Sequence, residues 1–302
     1  MTLAILNIDW QTLADALGLG GIYALMAVGI GLVFGVLRLV NFAYGQLVMA
    51  GAYALAYGSQ WNLPVGISIL FCFGVVLALS VLMDWLVFRP LRRQSPAVML
   101  VATFAVAYLL QSIALLAFGS LGTIATSVAP LNQPWTIDGV LIRKISIVSI
   151  LVAVGCLALL KLLLDRTSVG LHMRAAAMDF STARLIGVRA NRVIGGAVLL
   201  SGALAAVVAV MMTVRSPLVT PSFALTDTIV VLAGVVLGGL NRIVPATLGG
   251  FAIGFASGLL GGALPTNQSQ YLPTFLFAAV IVVLLVRPNG LFARNRGAVE
   301  RV

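Results

Sequence analysis

Charge is what this sequence has least of. Only 8 Asp or Glu and 18 Lys or Arg occur among 302 residues, so 9% of the chain is charged and 61% is hydrophobic. A soluble globular domain carries about 25% charged residues, so composition excludes that class and points to a polytopic membrane protein. The +10 net charge does not imply nucleic acid. Its basic residues fall in short intervals between apolar spans rather than along one polar face, which is how topology signals are distributed.

Cysteine is nearly missing as well. Cys72 and Cys156 each stand alone in an apolar run, without the C-x-x-C spacing or the extramembrane position that a disulfide or metal site needs, so both read as packing residues. No metal and no cofactor are expected. Ionisable groups near the centre of a span, which pumps and proton-coupled transporters keep at a cost of about 2.5 to 3.5 kcal/mol each, are not apparent. Asp84, Lys161 and Asp227 are all expected to reach an interface. Neither Lys144 nor Lys161 follows a glycine loop or precedes Ser or Thr, so the chain has no nucleotide site of its own. H-E-x-x-H, G-x-S-x-G and a paired-aspartate protease pattern are absent too, and no catalytic residue is expected. A positive n-region is lacking: the first basic residue, Arg38, comes after Asp9 and Asp15, so the first span is expected to stay in the mature protein.

What is present is a series of runs long enough to cross a bilayer, given that about 20 apolar residues span its core. Cutting at Pro, Gly and polar clusters gives nine: 16–37, 41–58, 64–88, 97–118, 145–164, 194–214, 226–241, 244–263 and 271–287. The expected architecture is all-α, a single transmembrane domain over 1–302 with about eight or nine membrane segments. Segments 41–58 and 226–241 are short and rich in glycine or polar residues, and are expected to be broken or re-entrant. With basic residues counted over the short loops, one side of the membrane collects fifteen and the other three. The positive-inside rule then puts the N-terminus outside and the C-terminus inside.

Glycine recurs with a purpose. Gly250, Gly254, Gly258 and Gly262 stand four residues apart, and the pairs Gly31 with Gly35 and Gly234 with Gly238 repeat the spacing. Small residues at that interval let helices approach closely, within the bundle or at a subunit contact.

Two polar stretches interrupt the apolar pattern. Asn41, Tyr44 and Gln46 are uncharged hydrogen-bonding groups that either line a path for a zwitterion or satisfy backbone at a helix break. The interval 165–193 is the one long polar segment, with five Arg (166, 174, 184, 189, 192) and the sole histidine, His172. It reads as two short helices, one opened by Gly170 and running through Leu171 to Met178, the other capped by Asp179 or Ser181 and stopped at Gly187. Met173, Ala177, Phe180 and Ile186 would supply apolar contacts. Such a loop is either a connector held to anionic lipid by its arginines or a platform for a soluble partner. A gated pathway with no energy source of its own and one large cytoplasmic loop points to the membrane subunit of an ABC importer.

The run GGIYALMAVGIGLVFGVLRLVNFAYGQLVMAGAY (20–53), the loop VGLHMRAAAMDFSTARLIGVRANRVIG and the ending RPNGLF (287–292) resemble the H-type permease subunit of branched-chain (hydrophobic) amino-acid ABC importers. The resemblance implies a bacterial inner-membrane location and four kinds of partner: a second homologous permease subunit, two cytoplasmic ATP-binding subunits, a periplasmic solute-binding protein and membrane lipid. It also implies that Arg174, Ala175, Asp179, Ala183 and Gly187 lie in an ATPase-facing loop, and that Asn41, Phe42, Gly45 and Gln46 match the short polar segment after the first span. The chain departs from the family at Tyr44, where His is usual, at Asn241 and Arg242, where a glycine-rich turn is usual, and at Asp227, where a basic residue is common. Related systems carry urea, amides or aromatic acids, so the solute stays open. A facilitative channel and a structural membrane subunit are the other classes compatible with the residues.

Overall fold

The structure, a computed structural model, describes residues 10–37, 40–91, 94–126, 128, 134–137, 140–178, 182–183, 190–239, 243–265 and 268–287. Ten helices of more than ten residues account for most of them. They are α1 (Trp10–Leu37), α2 (Tyr44–Gln60), α3 (Val65–Met83), α4 (Pro96–Phe118), α5 (Lys144–Arg166), α6 (Ser168–Met178), α7 (Ala190–Arg215), α8 (Leu225–Gly238), α9 (Ile243–Ala263) and α10 (Leu272–Val286). All but α6 fall on the nine apolar runs. Six are long and apolar enough to cross a membrane, α8 and α10 are shorter apolar helices, and α2 is less apolar than either group.

Helix α1 is the axis. It packs on α9, α7, α5 and α8, and 83% of its most apolar window is buried, against 22% for the windows of α3, α4 and α5, whose remaining surface suits lipid. Neighbouring helices on α1 are held by small residues. A Cβ added at Gly254 would lie 2.7 Å from Tyr23 Cβ and 2.9 Å from Gly20 Cα, and Gly250, Gly258 and Gly262 are as tightly set against Ala27, Ala16 and Thr12. The spacing of four thus lays one face of α9 along α1 of the same chain. Gly234 and Gly238 close on α9 at Gly249 and Pro245 in turn, whereas Gly31 has only Ala246 at 4.0 Å and Gly35 meets nothing within that range. Among the described residues, that pair makes no close contact within the chain.

Local chemistry sets the helix ends. Ser95 caps α4, its hydroxyl accepting from the Val98 amide at 3.4 Å, with Pro96 in the first turn. Asn62, left-handed at φ 52°, makes the tight turn between α2 and α3. Helix α3 continues through a π-turn over Asp84–Phe88 to the expected end of its run and then one short turn further to Leu91, and Arg89 Nε reaches back to the Asp84 carboxylate at 2.9 Å. Two small antiparallel ribbons lie where nothing was expected. Thr123–Ile124 (β1) pairs with Leu218–Val219 (β4), and Pro134–Ile137 (β2) with Val140–Arg143 (β3).

Candidate functional site

Asp15, Tyr23, Arg215 and Asp227 come together at one end of the bundle around a cavity of about 780 Å³. Helices α1 and α9, the end of α7, residues 218–224 and the starts of α8 and α10 line it. How α8 begins explains why the cavity exists. After the β4 pairing, the chain turns at Ala224, a non-glycine residue held left-handed at φ 62°, and starts α8 only at Leu225. At 1.5 Å per residue its 14 residues cover about 21 Å, less than the roughly 30 Å hydrocarbon core. Other backbone must cover the remainder, and irregular backbone at membrane depth is tolerated where it lines a cavity.

Asp227 lies in the first turn of α8, where the helix dipole favours an anion. Its carboxylate accepts the Tyr23 hydroxyl, with Ser257 on the same phenol. Tyr23 is the fourteenth of the 28 residues of α1, so Asp227 sits beside the middle of that helix, on the cavity that it shares with Asp15. A carboxylate there costs about 2.5 to 3.5 kcal/mol in lipid, and the part-exposed position on the cavity relieves this cost. Eight residues, about 12 Å, nearer the end of α1, Asp15 accepts the Ser146 hydroxyl. Arg215 donates from Nη1 to the Asp15 backbone carbonyl at 3.3 Å, and its field acts on both Tyr23 and Asp227. Leu19, Met212, Phe223, Val230 and Leu276 give the wall an apolar patch beside its Ser and Thr residues.

Among the expected pathway residues, Asn41 is buried and its Oδ1 accepts the Ala43 amide at 3.1 Å, which satisfies backbone at the break before α2. Tyr44 and Gln46 are also fully buried. The Tyr44 hydroxyl packs into the groove left by Gly29, and among the described residues neither it nor either amide atom of Gln46 has a hydrogen-bond partner. These three residues share the α1–α2 corner and lie outside the lining of the large cavity.

At the other end of the bundle, α6 begins one turn earlier than expected, because Thr167 rather than Gly170 starts it: its hydroxyl accepts the Gly170 amide at 3.2 Å. Arg174 is exposed and pairs with Asp165 at 2.8 Å. Ala175 is half-buried, while Met173 and Ala183 are 3% exposed and pack inward, so neither presents an outward contact. Val169 and Leu171 are the apolar side chains that α6 turns outward. Asp179, Phe180, Ser181, Arg184, Ile186, Gly187 and Arg189, and the Asn241–Arg242 turn, lie outside the described residues. Among the described residues, no cluster of three His, Cys, Asp or Glu would hold a metal.

The sequence reading missed the cavity because its members are up to 212 positions apart and were judged span by span. One signal was available: Asp15, Arg215 and Asp227 all fell on the same, charge-poor side of the topology.

Residues 12–285 match the family described as the permease component of the branched-chain amino acid transport system. The high-affinity branched-chain amino acid transport system permease protein BraD of Pseudomonas aeruginosa is 29% identical, with 97% of each chain covered. LivH of Escherichia coli K12, a permease protein of the same description, is 27% identical with the same coverage, and a probable LivH of Methanocaldococcus jannaschii is 27% identical over 92% of this chain and 91% of its own. Two solved structures share the fold. PsaBC from Streptococcus pneumoniae in complex with Fab gives a TM-score of 0.53 at 12% identity, covering 93% of this chain and 94% of that one. A metal-chelate type ABC transporter in an inward-facing conformation gives 0.51 at 18%, covering 93% and 89%. The six membrane-length apolar helices, the matched length and these relatives together assign the chain to the branched-chain amino acid permease family, as an H-type membrane subunit of ABC importers.

Proposed function

We propose that this chain forms the translocation pathway of an ATP-driven importer for branched-chain amino acids in the cytoplasmic membrane, with the Asp15 end outside and the α6 end inside. The observation that carries the reading is the cavity at the Asp15 end, which joins both signs of charge to an apolar wall and reaches the middle of the central helix. An amino acid released from a solute-binding protein would enter there. Asn41, Tyr44 and Gln46 would line the path farther in. Energy would come from two ATP-binding subunits gripping the 165–193 loop through α6 and the residues that follow it, and a second permease subunit would complete the pathway.

The test is reconstitution of the chain with a second permease, ATPase and solute-binding subunits in proteoliposomes. Leucine should accumulate only with ATP and binding protein present. Leucine flux through this chain without any ATPase would replace the reading with a facilitative channel.

A further inference from the structure

We propose that the cavity is a receptor for the free α-amino acid zwitterion, in which Arg215 takes the carboxylate, Asp227 steadied by Tyr23 takes the ammonium, and the apolar wall takes the side chain. The proposal rests on the permease reading and adds to it the groups that recognise the solute.

The charges around the cavity narrow the choice of ligand. A path for an uncharged solute such as urea or an amide gains nothing from an aspartate beside the middle of α1. A site for a simple cation would not carry a guanidinium, and a site for a simple anion would not carry two carboxylates. Only a ligand with both charges close together uses both signs. Of the two acids, Asp15 is engaged by the Ser146 hydroxyl, and its backbone carbonyl accepts from Arg215, so it serves the wall and sets the guanidinium. Asp227 has one oxygen on Tyr23 and is part-exposed to the cavity. Arg215 and Asp227 both line the cavity, so a single ligand held there faces both signs of charge. Leu19, Met212, Phe223, Val230 and Leu276 provide an apolar patch for a branched side chain. A site built to pair both charged ends rejects analogues lacking either one far more strongly than it separates side chains that differ by a methylene. Binding must also be weak enough to release the solute onward.

The experiment reads occupancy directly. Thr226 is exposed on the cavity lining. In the detergent-purified importer complex without binding protein, with Thr226→Cys and Cys156→Ala introduced, the labelling rate of position 226 by a small methanethiosulfonate is measured. Millimolar leucine should slow labelling at least threefold, whereas leucinamide, lacking the carboxylate, and 4-methylpentanoate, lacking the ammonium, should not. Arg215→Gln and Asp227→Asn should each abolish the protection, and Arg215→Lys and Asp227→Glu should keep part of it. Equal protection by leucinamide, no protection by leucine, or full protection in both neutral variants would overturn the proposal. The analogue comparison decides the question alone if a variant fails to fold. ATP-dependent leucine uptake by the complex with Thr226 intact tests the permease reading separately: uptake without protection removes only the receptor, and protection without ATP-dependent uptake removes only the importer.

Discussion

The two ends of the bundle handle charge in opposite ways. At the Asp15 end, two carboxylates and a guanidinium turn inward around a cavity, and every one of them is part-buried. At the α6 end, most charge turns outward: Arg174 and Asp165 pair with about half of each side chain exposed, and Arg89 keeps 46% of its side chain exposed while reaching to Asp84, the one buried charge of these four. Inward charge suits a small solute that must be stripped of water, and outward charge suits headgroups or a macromolecular partner. Between them, at the α1–α2 corner, the polar groups are neutral: Asn41 accepts a backbone amide, while the Tyr44 hydroxyl and the Gln46 amide find no partner among the described residues. A chain with 9% charged residues has thus divided them by role.

The largest effect is expected from closing the inward end. Gly254→Leu forces a branched side chain against Tyr23, the residue that steadies Asp227, where even a Cβ would come within 2.7 Å. Overpacking costs about 1 to 3 kcal/mol when neighbours can move, but here the neighbour is the backbone of the axial helix. Membrane yield should fall severalfold and uptake should vanish, as immunoblots and vesicle transport would show. Normal yield and uptake would mean that α9 does not lie on α1 as described.

The outward end comes next. Leu171 is 59% exposed on α6 beside Val169, so Leu171→Asp costs the free chain little. If α6 is the surface that a partner grips, the aspartate enters an apolar contact unpaired, and uptake and solute-stimulated ATP hydrolysis should both fall about tenfold at unchanged membrane level. Retained coupling would reduce the loop to a lipid-held connector.

Gln46→Leu tests the neutral region between the ends. Leaving a buried polar group unpaired costs about 1 to 3 kcal/mol, so an apolar side chain of similar size should raise the thermal midpoint of the purified complex. Uptake should drop about fivefold if the amide serves passing solute or water. A lower midpoint would show that Gln46 is paired in the resting protein.

Much of this was legible in the sequence, and the failures have physical causes. Nine helices followed from apolar length, and the stripe from Gly250 to Gly262 followed from spacing, because both are local and repeat along one helix. Gly31 and Gly35 obey the same spacing with no partner close by, since periodicity shows which face is small but not what stands opposite. The Tyr23–Asp227 pair was not legible, because it joins positions 204 apart and depends on the turn at Ala224 that sets where α8 begins. Ala183 was expected on a docking surface and is buried, because alanine fits either environment equally well.

The smallest effect is expected from Arg174→Ala, and it asks whether the charges of the outward end serve the fold or a partner. Within the chain, the Arg174 guanidinium meets Asp165 at 2.8 Å and ties α6 to the end of α5. Both side chains are about half in water, where such pairs contribute about 0.2 to 1 kcal/mol and less as salt rises. If that tie is the whole role, the thermal midpoint should drop by a degree or two at low salt and not measurably at high salt, with uptake within twofold of the unmodified protein. If instead Arg174 reaches an ATPase when the complex assembles, the ion pair must open to release it. Asp165→Asn would then free the guanidinium and leave coupling intact or improved, while Arg174→Ala would cut uptake well beyond twofold. Measuring both variants at two salt concentrations separates the cases, because an intrachain tie predicts equal, small losses from either partner, whereas a partner contact predicts losses from the arginine alone.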